Sequence, residues 1–163
     1  MQIAAAFGAR VTGVCGAGNA ELVKSLGADE VLDYAKKDFA LPQGGYDLIL
    51  AVRGYQDIEA YARALAPAGS YVMVGGTWAQ IIQSAAKGPR VLAAEGKRFG
   101  RFTYSPNATD LSFMKKLIEA GRVRPLIDSV YELGDIAAAF RHFGEGHARG
   151  KVVIRIREDE GRG

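Results

Sequence analysis

Residues 9–34, ARVTGVCGAGNAELVKSLGADEVLDY, restrict the fold more than any other stretch. Residues 10–15 are β-rich and run into Gly16-Ala17-Gly18. Asn19 suits a helix N-cap, residues 20–26 have helical composition, and Gly27 suits the position just past a helix C-terminus. Residues 30–34 return to strand character. Two strands joined through a helix form a parallel pair with a right-handed crossover. The loop after the first strand then lies at its carboxyl end, where open α/β sheets bind ligands.

The alternation continues downstream. Residues 1–7 suit a short helix ended by Gly8. Residues 46–52 (YDLILAV) are almost continuously apolar, as in a strand buried on both faces. Residues 58–65 predict a helix, residues 66–69 (APAG) a turn, and residues 70–74 a second buried strand stopped by Gly75-Gly76. A helix is expected over 77–92, interrupted at Gly88-Pro89, and a strand over 97–104. Residues 110–120 carry Leu111, Met114, Leu117 and Ile118 at helical spacing. Residues 127–131 predict a strand, 135–143 a helix with Ile136, Ala139, Phe140 and Phe143 inward, and 151–156 a last strand. Residues 158–163 are polar and expected to be disordered. The pattern predicts an α/β fold built on a doubly wound parallel sheet.

Composition narrows the function classes. A chain of 163 residues fits one domain and buries roughly two thirds of its unfolded surface. Hydrophobic residues make up 48% and charged residues 24%, the balance of a soluble globular protein. No apolar run approaches the ~18 residues of a membrane span, and no basic n-region or cleavage site marks a signal peptide. A cytoplasmic setting is the default expectation. The net charge is +3, and its densest basic group, Lys97, Arg98 and Arg101, reads as solvated loop charge rather than a nucleic-acid patch. The single Cys15 excludes an internal disulfide and a cysteine-rich zinc site.

Catalytic candidates are scarce. His142, on the amphipathic helix, and His147, in a glycine-rich turn, read as structural or solvated. No H-E-x-x-H or paired His/Cys spacing is present. The Tyr-x-x-x-Lys pattern fails, because Tyr34 is followed by Asp38 and Tyr61 by Leu65. No G-x-S-x-G occurs. In a G-x-G-x-x-G reading of Gly16 and Gly18, the third glycine would fall on Glu21, so that pattern fails too. No residue is assigned as catalytic.

The segments at residues 3–34, 46–54 (YDLILAVRG), 63–76 (RALAPAGSYVMVGG), 96–111, 117–143 and 145–154 (EGHARGKVVI) together resemble the medium-chain dehydrogenase/reductase superfamily. The resemblance is strongest to its zinc-type alcohol dehydrogenase and NADPH:quinone oxidoreductase-like branch, and to the C-terminal, cofactor-binding half. It implies an incomplete Rossmann-type sheet over residues 1–122, lacking the first strand and pyrophosphate loop. Residues 123–157 are then a return segment that normally completes the catalytic barrel, and 158–163 a tail. Strands 127–131 and 151–156 are expected to pair with each other, with another copy, or to leave open edges that favour a homo-oligomer.

The opening stretch becomes the second βα unit, whose loop reads the adenosine ribose. The strand ends at Cys15 and Gly16, with no carboxylate to repel a 2′-phosphate, so NADPH is the expected cofactor in a weak or incomplete site. Gly16, Ala17, Gly18 and Asn19 stand where relatives place a hydroxyl and a basic residue for that phosphate. Tyr34 matches a tyrosine near the phosphate, with core packing or a sheet-end hydroxyl the equal alternative. Val52 and Arg53 match the strand end beside adenine and ribose. Val74, Gly75 and Gly76 match the strand end beside nicotinamide, or form a plain turn. Phe102 matches the strand closing over that ring, or packs in the core. No zinc is expected in this chain. The implied activity is hydride transfer from NADPH to a small carbonyl, quinone or activated alkene, weak or absent in this chain alone. The alternatives are a non-catalytic interaction module and one part of a longer enzyme.

Overall fold

The computed structural model describes residues 1–36, 41–52, 56–101 and 105–156. Its elements alternate as expected. They are α1 (Gln2–Ala6), β1 (Thr12–Cys15), α2 (Ala20–Ser25), β2 (Glu30–Asp33), β3 (Tyr46–Val52), α3 (Ile58–Ala64) and β4 (Leu65–Val74). There follow α4 (Trp78–Ala94), β5 (Arg98–Arg101), α5 (Ala108–Glu119), β6 (Ile127–Glu132), α6 (Ile136–Gly144) and β7 (Lys151–Arg155). The strands form three sheets, β1-β2, β3-β4-β5 and β6-β7, rather than one. The pairs β3/β4, β4/β5 and β6/β7 are parallel. Two compact units result, Met1–Leu32 with Ala108–Gly163, and Asp33–Asn107.

In Asp33–Asn107, α3 and α4 pack on one face of the three-stranded sheet. Ala62 and Leu92 are wholly buried there, with Ile58, Tyr61, Leu65, Ala51, Tyr71 and Met73 around them. Tyr71 stacks between Tyr61, at 5.1 Å between ring centroids, and Phe99, at 5.8 Å. The opposite face is bare: Leu48, Leu50 and Val52 are 53%, 57% and 65% exposed. The apolar run of β3 is therefore not buried on both faces. Its residues alternate between the faces, and both helices of the unit lie on one.

Three further expectations change here. The turn at 66–69 is taken into β4, whose register against β3 breaks between Tyr46↔Leu65 and Leu48↔Ser70. Ala68 takes a φ of 61° within that excursion. Pro89 lies inside α4, which runs through it without the expected interruption. Its ring removes one backbone bond and crowds the preceding turn, but burial of Leu92 and Ser84 holds the helix to the sheet on both sides of it. Lys97 is not solvated loop charge. Its side chain is 10% exposed, pairs with Glu95 at 2.7 Å and donates to the Ala62 carbonyl near the end of α3, where a cation complements the helix dipole.

In the other unit, α2 closes β1 and β2 over Cys15, Val23 and Ala28. Gly27 ends the helix at φ 93°, as the sequence predicts. The first helix is anchored by an amide clasp: Gln2 Nε2 donates to Arg124 O at 2.9 Å, and Arg124 N donates to Gln2 Oε1 at 2.7 Å. Phe7 stacks on Phe113, with the Arg122 guanidinium 5.7 Å from the Phe7 ring. Strands β6 and β7 pair with each other in parallel, the first of the three expected outcomes. On α6 only Ala139 is buried, while Ile136, Phe140 and Phe143 stay exposed against expectation. A two-stranded ribbon is too narrow to cover the whole apolar stripe of a helix. The expected tail at 158–163 and the end of the strand expected over 97–104 lie outside the described residues.

Gly88 is where α4 meets the sheet: a Cβ added there would lie 2.6 Å from the Phe99 ring. Gly88→Val should destabilise the protein by about 1–3 kcal/mol through overpacking, measured by urea denaturation. Adding Phe99→Ala should cost less than the sum of the two single changes.

Candidate functional site

Two groups of predicted residues gather at strand ends, one in each unit. In the first, Cys15 is buried at the carboxyl end of β1. Gly16 leaves the strand in extended conformation, with φ −77° and ψ 155°, and opens a single 3-10 turn, Ala17–Asn19. The Asn19 N–H donates to Gly16 O at 2.9 Å. Asn19 holds the N-cap position of α2, but its side chain makes no cap hydrogen bond, so the expected capping role is positional only.

One neighbour of this turn escapes a local reading of the sequence. A Cβ placed on Gly18 would lie 4.0 Å from Nη2 of Arg149, in the connection between α6 and β7. That connection is tethered. The Arg149 N–H donates to Asp128 Oδ1 at 2.9 Å, and His142 Nε2 lies 2.8 Å from Asp128 Oδ2. These bonds, that from the Arg149 backbone first and that from His142 second, hold the Asp128 carboxyl below its ordinary range. His142 thus has a carboxylate partner within its own unit. The only local hint of Arg149 was its place in the EGHARGKVVI segment.

In the second unit, Val52 and Val74 are register partners at the carboxyl ends of β3 and β4. Gly75 follows at φ 69°, a conformation that disfavours any side chain, and nothing within 4 Å would meet a Cβ there. Together with Gly76 it leaves bare backbone beyond Val74, open to close approach by a flat ligand. Tyr34 is 44% exposed in the turn after β2. Arg53 and Phe102 lie outside the described residues.

Beneath the sheet, a small cavity is lined by Tyr61, Tyr71, Met73, Gly75, Gln83 and Ser84 among others. Its polar groups are internally paired. The Ser84 hydroxyl donates to the Met73 sulfur at 3.1 Å, and the Gln56 N–H donates to the Tyr61 hydroxyl at 3.4 Å. Burial, reinforced by Tyr61 and opposed by the Ser84 bond, pushes Tyr71 up to about 12, so its hydroxyl stays protonated at neutral pH. Among the described residues no group of three or more His, Cys, Asp or Glu comes together as a metal cluster.

The folded-state depression of Asp128 has a sign that can be checked. Its contribution to stability is full above its ordinary value of 3.8 and is lost as pH falls through the lowered folded value. The melting temperature of Asp128→Ala should therefore lie below that of the wild type at neutral pH, and the gap should close on acidification.

The zinc-binding dehydrogenase family matches residues 26–154. The chloroplast envelope quinone oxidoreductase homolog of Arabidopsis thaliana is 30% identical over 94% of this chain and 47% of its own length. The mitochondrial NAD(P)H oxidoreductase RTN4IP1 of Danio rerio is 27% identical over 98% of this chain and 46% of its own. Among solved structures, the quinone oxidoreductase from Coxiella burnetii superposes with a TM-score of 0.74 at 22% identity, over 96% of this chain and 48% of that one. The chain thus spans about half the length of the curated relatives it matches. By its strand-end geometry and these matches, the chain belongs to the zinc-binding dehydrogenase family, within the quinone oxidoreductase-like medium-chain dehydrogenase/reductase superfamily.

Proposed function

We propose that this chain is the cofactor-binding portion of an NAD(P)H-dependent oxidoreductase of the quinone reductase type, corresponding to the C-terminal half of such enzymes. The observation that carries this reading is the pair of strand ends, Cys15-Gly16 and Val74-Gly75-Gly76, each at the carboxyl end of its strand and each continued by backbone without bulky side chains. Open α/β sheets place their ligands at such ends. Residues 1–122 are assigned to nucleotide binding and 123–157 to the return segment.

Each unit carries residues suited to part of a nicotinamide dinucleotide. Cys15, Gly16 and Asn19 would border the adenosine ribose, and the absence of a carboxylate between Cys15 and Asn19 favours the phosphorylated form. In Asp33–Asn107, Tyr34 is assigned to a 2′-phosphate, and Val52 and Arg53 to the adenine and ribose. Val74, Gly75 and Gly76 would let the nicotinamide lie against backbone, with Phe102 closing over it. When bound, the cofactor supplies the hydride, delivered to a carbonyl, quinone or activated alkene. The chain's own part is to hold and orient; no side chain of it is assigned proton transfer.

A second reading, a non-catalytic interaction module, is favoured by the bare apolar face of Leu48, Leu50 and Val52. Titration with NADPH, followed by cofactor fluorescence and by melting temperature, separates the two. The first reading expects saturable binding, with stabilisation of about 1.4 kcal/mol at ten times the dissociation constant. No response at millimolar cofactor would sink it in favour of the second.

A further inference from the structure

We propose that the outer face of α4 is an interfacial anchor that seats the Asp33–Asn107 unit on an anionic lipid surface. The inference does not depend on the nucleotide-binding reading above.

Three observations carry it. The first is a second apolar stripe on one helix. The inward stripe of α4 places Leu92 in the core, with Ile81 and Val91 packed against it. A further set, Trp78, Ile82, Ala86, Pro89 and Ala93, recurs every three or four residues and is exposed throughout. Trp78 is 81% and Ile82 64% exposed, one helical turn apart. The solvent side of a helix ordinarily carries charged and polar side chains. Neither residue lines the cavity beneath the sheet. At such exposure the indole stands clear of its neighbours, placed to enter a partner rather than to wall a pocket.

The second observation is charge. Residues 78–94 hold Lys87 and Arg90 and no acid. Both cations are exposed, and Arg90 lies one turn from Ala86 on the flank of the stripe. Among the described residues, neither has a carboxylate within ion-pair distance. The acids that border the helix are already engaged. Asp57, at the N-cap of α3, accepts from Gln83 Nε2 at 3.4 Å, and Glu95 pairs with Lys97 at 2.7 Å. Two copies meeting through this face would add like charges to the contact, so complementarity favours an anionic occupant.

The third is the distribution of bulk. The 17 residues of α4 extend about 25 Å, and no described helix is long and apolar enough to cross a membrane. The helix would therefore lie on a bilayer. Its outer bulk is confined to Trp78 and Ile82, and the stripe continues in Ala86, Pro89 and Ala93. A helix held in a protein groove uses large anchors along several turns. An indole and one aliphatic side chain at the headgroup boundary, with basic side chains reaching lipid phosphates, suit a bilayer surface instead.

Trp78 is the only tryptophan of the chain, so its emission reports on this face alone. Vesicles of equal parts phosphatidylcholine and phosphatidylserine should shift that emission to shorter wavelength and carry the protein into the vesicle pellet. High salt should reverse both effects, and vesicles of phosphatidylcholine alone should produce much less of either. Ile82→Gln should weaken vesicle binding about tenfold. Lys87→Gln and Arg90→Gln should each weaken it about fivefold, and Lys87→Arg should retain it. All these side chains are exposed, so the melting temperatures should match that of the wild type. Absence of any shift or sedimentation at millimolar lipid would overturn the proposal. So would vesicle binding that Ile82→Gln and the double Lys87→Gln, Arg90→Gln variant leave intact. A shift produced by polyglutamate but not by vesicles would assign the face to an acidic protein instead. A shift that follows protein concentration alone would assign it to a second copy.

Discussion

A parallel strand pair cannot be closed by a hairpin, because the chain must travel back along the sheet before it can run forward again. That constraint organises both units. The connection from β3 to β4 runs through α3, that from β4 to β5 through α4, and that from β6 to β7 through α6. Successive parallel strands therefore end on the same edge of their sheet, and the loops leaving them collect there. Val52 and Val74 are neighbours for this reason. Polar loops and backbone glycines accumulate at that edge, and the apolar body of each helix is spent on the sheet.

Coverage of the sheets is the second organising fact. The β3-β4-β5 sheet holds one well-filled layer, in which Ala62, Leu65 and Leu92 are almost fully removed from water. Its other face keeps Leu48, Leu50 and Val52 in contact with solvent. The β6-β7 ribbon repeats the situation on a smaller scale, with Ala139 buried and Phe140 and Phe143 at its margin. Apolar area left exposed on this scale is unusual for an isolated domain.

Much of this was legible from local sequence. The glycines at 27 and 75 stop their elements where expected, because the left-handed conformation they adopt disfavours residues with a side chain. The order of strands and helices followed from apolar periodicity. Three local signals were overridden by tertiary packing. The apolar run of residues 46–52 says that the strand prefers burial, not that a second layer of helices is there to bury it. Gly88-Pro89 says that a helix is locally disfavoured, not that packing of Leu92 will fail to offset the penalty. Lys97 likewise looked solvated until the end of α3 was folded against it.

Residue spacing alone fixes the element types, the family, and a turn after β1 without acidic or basic side chains. These depend on residue spacing and backbone preference within a few positions, where the chain's own covalent geometry supplies the constraint. Tertiary structure alone decided that the strands divide among three sheets, and that Asp128 holds the connection carrying Arg149 beside Gly18. Those outcomes depend on contacts between residues far apart in the chain, set by burial and hydrogen bonding once the sheets have formed.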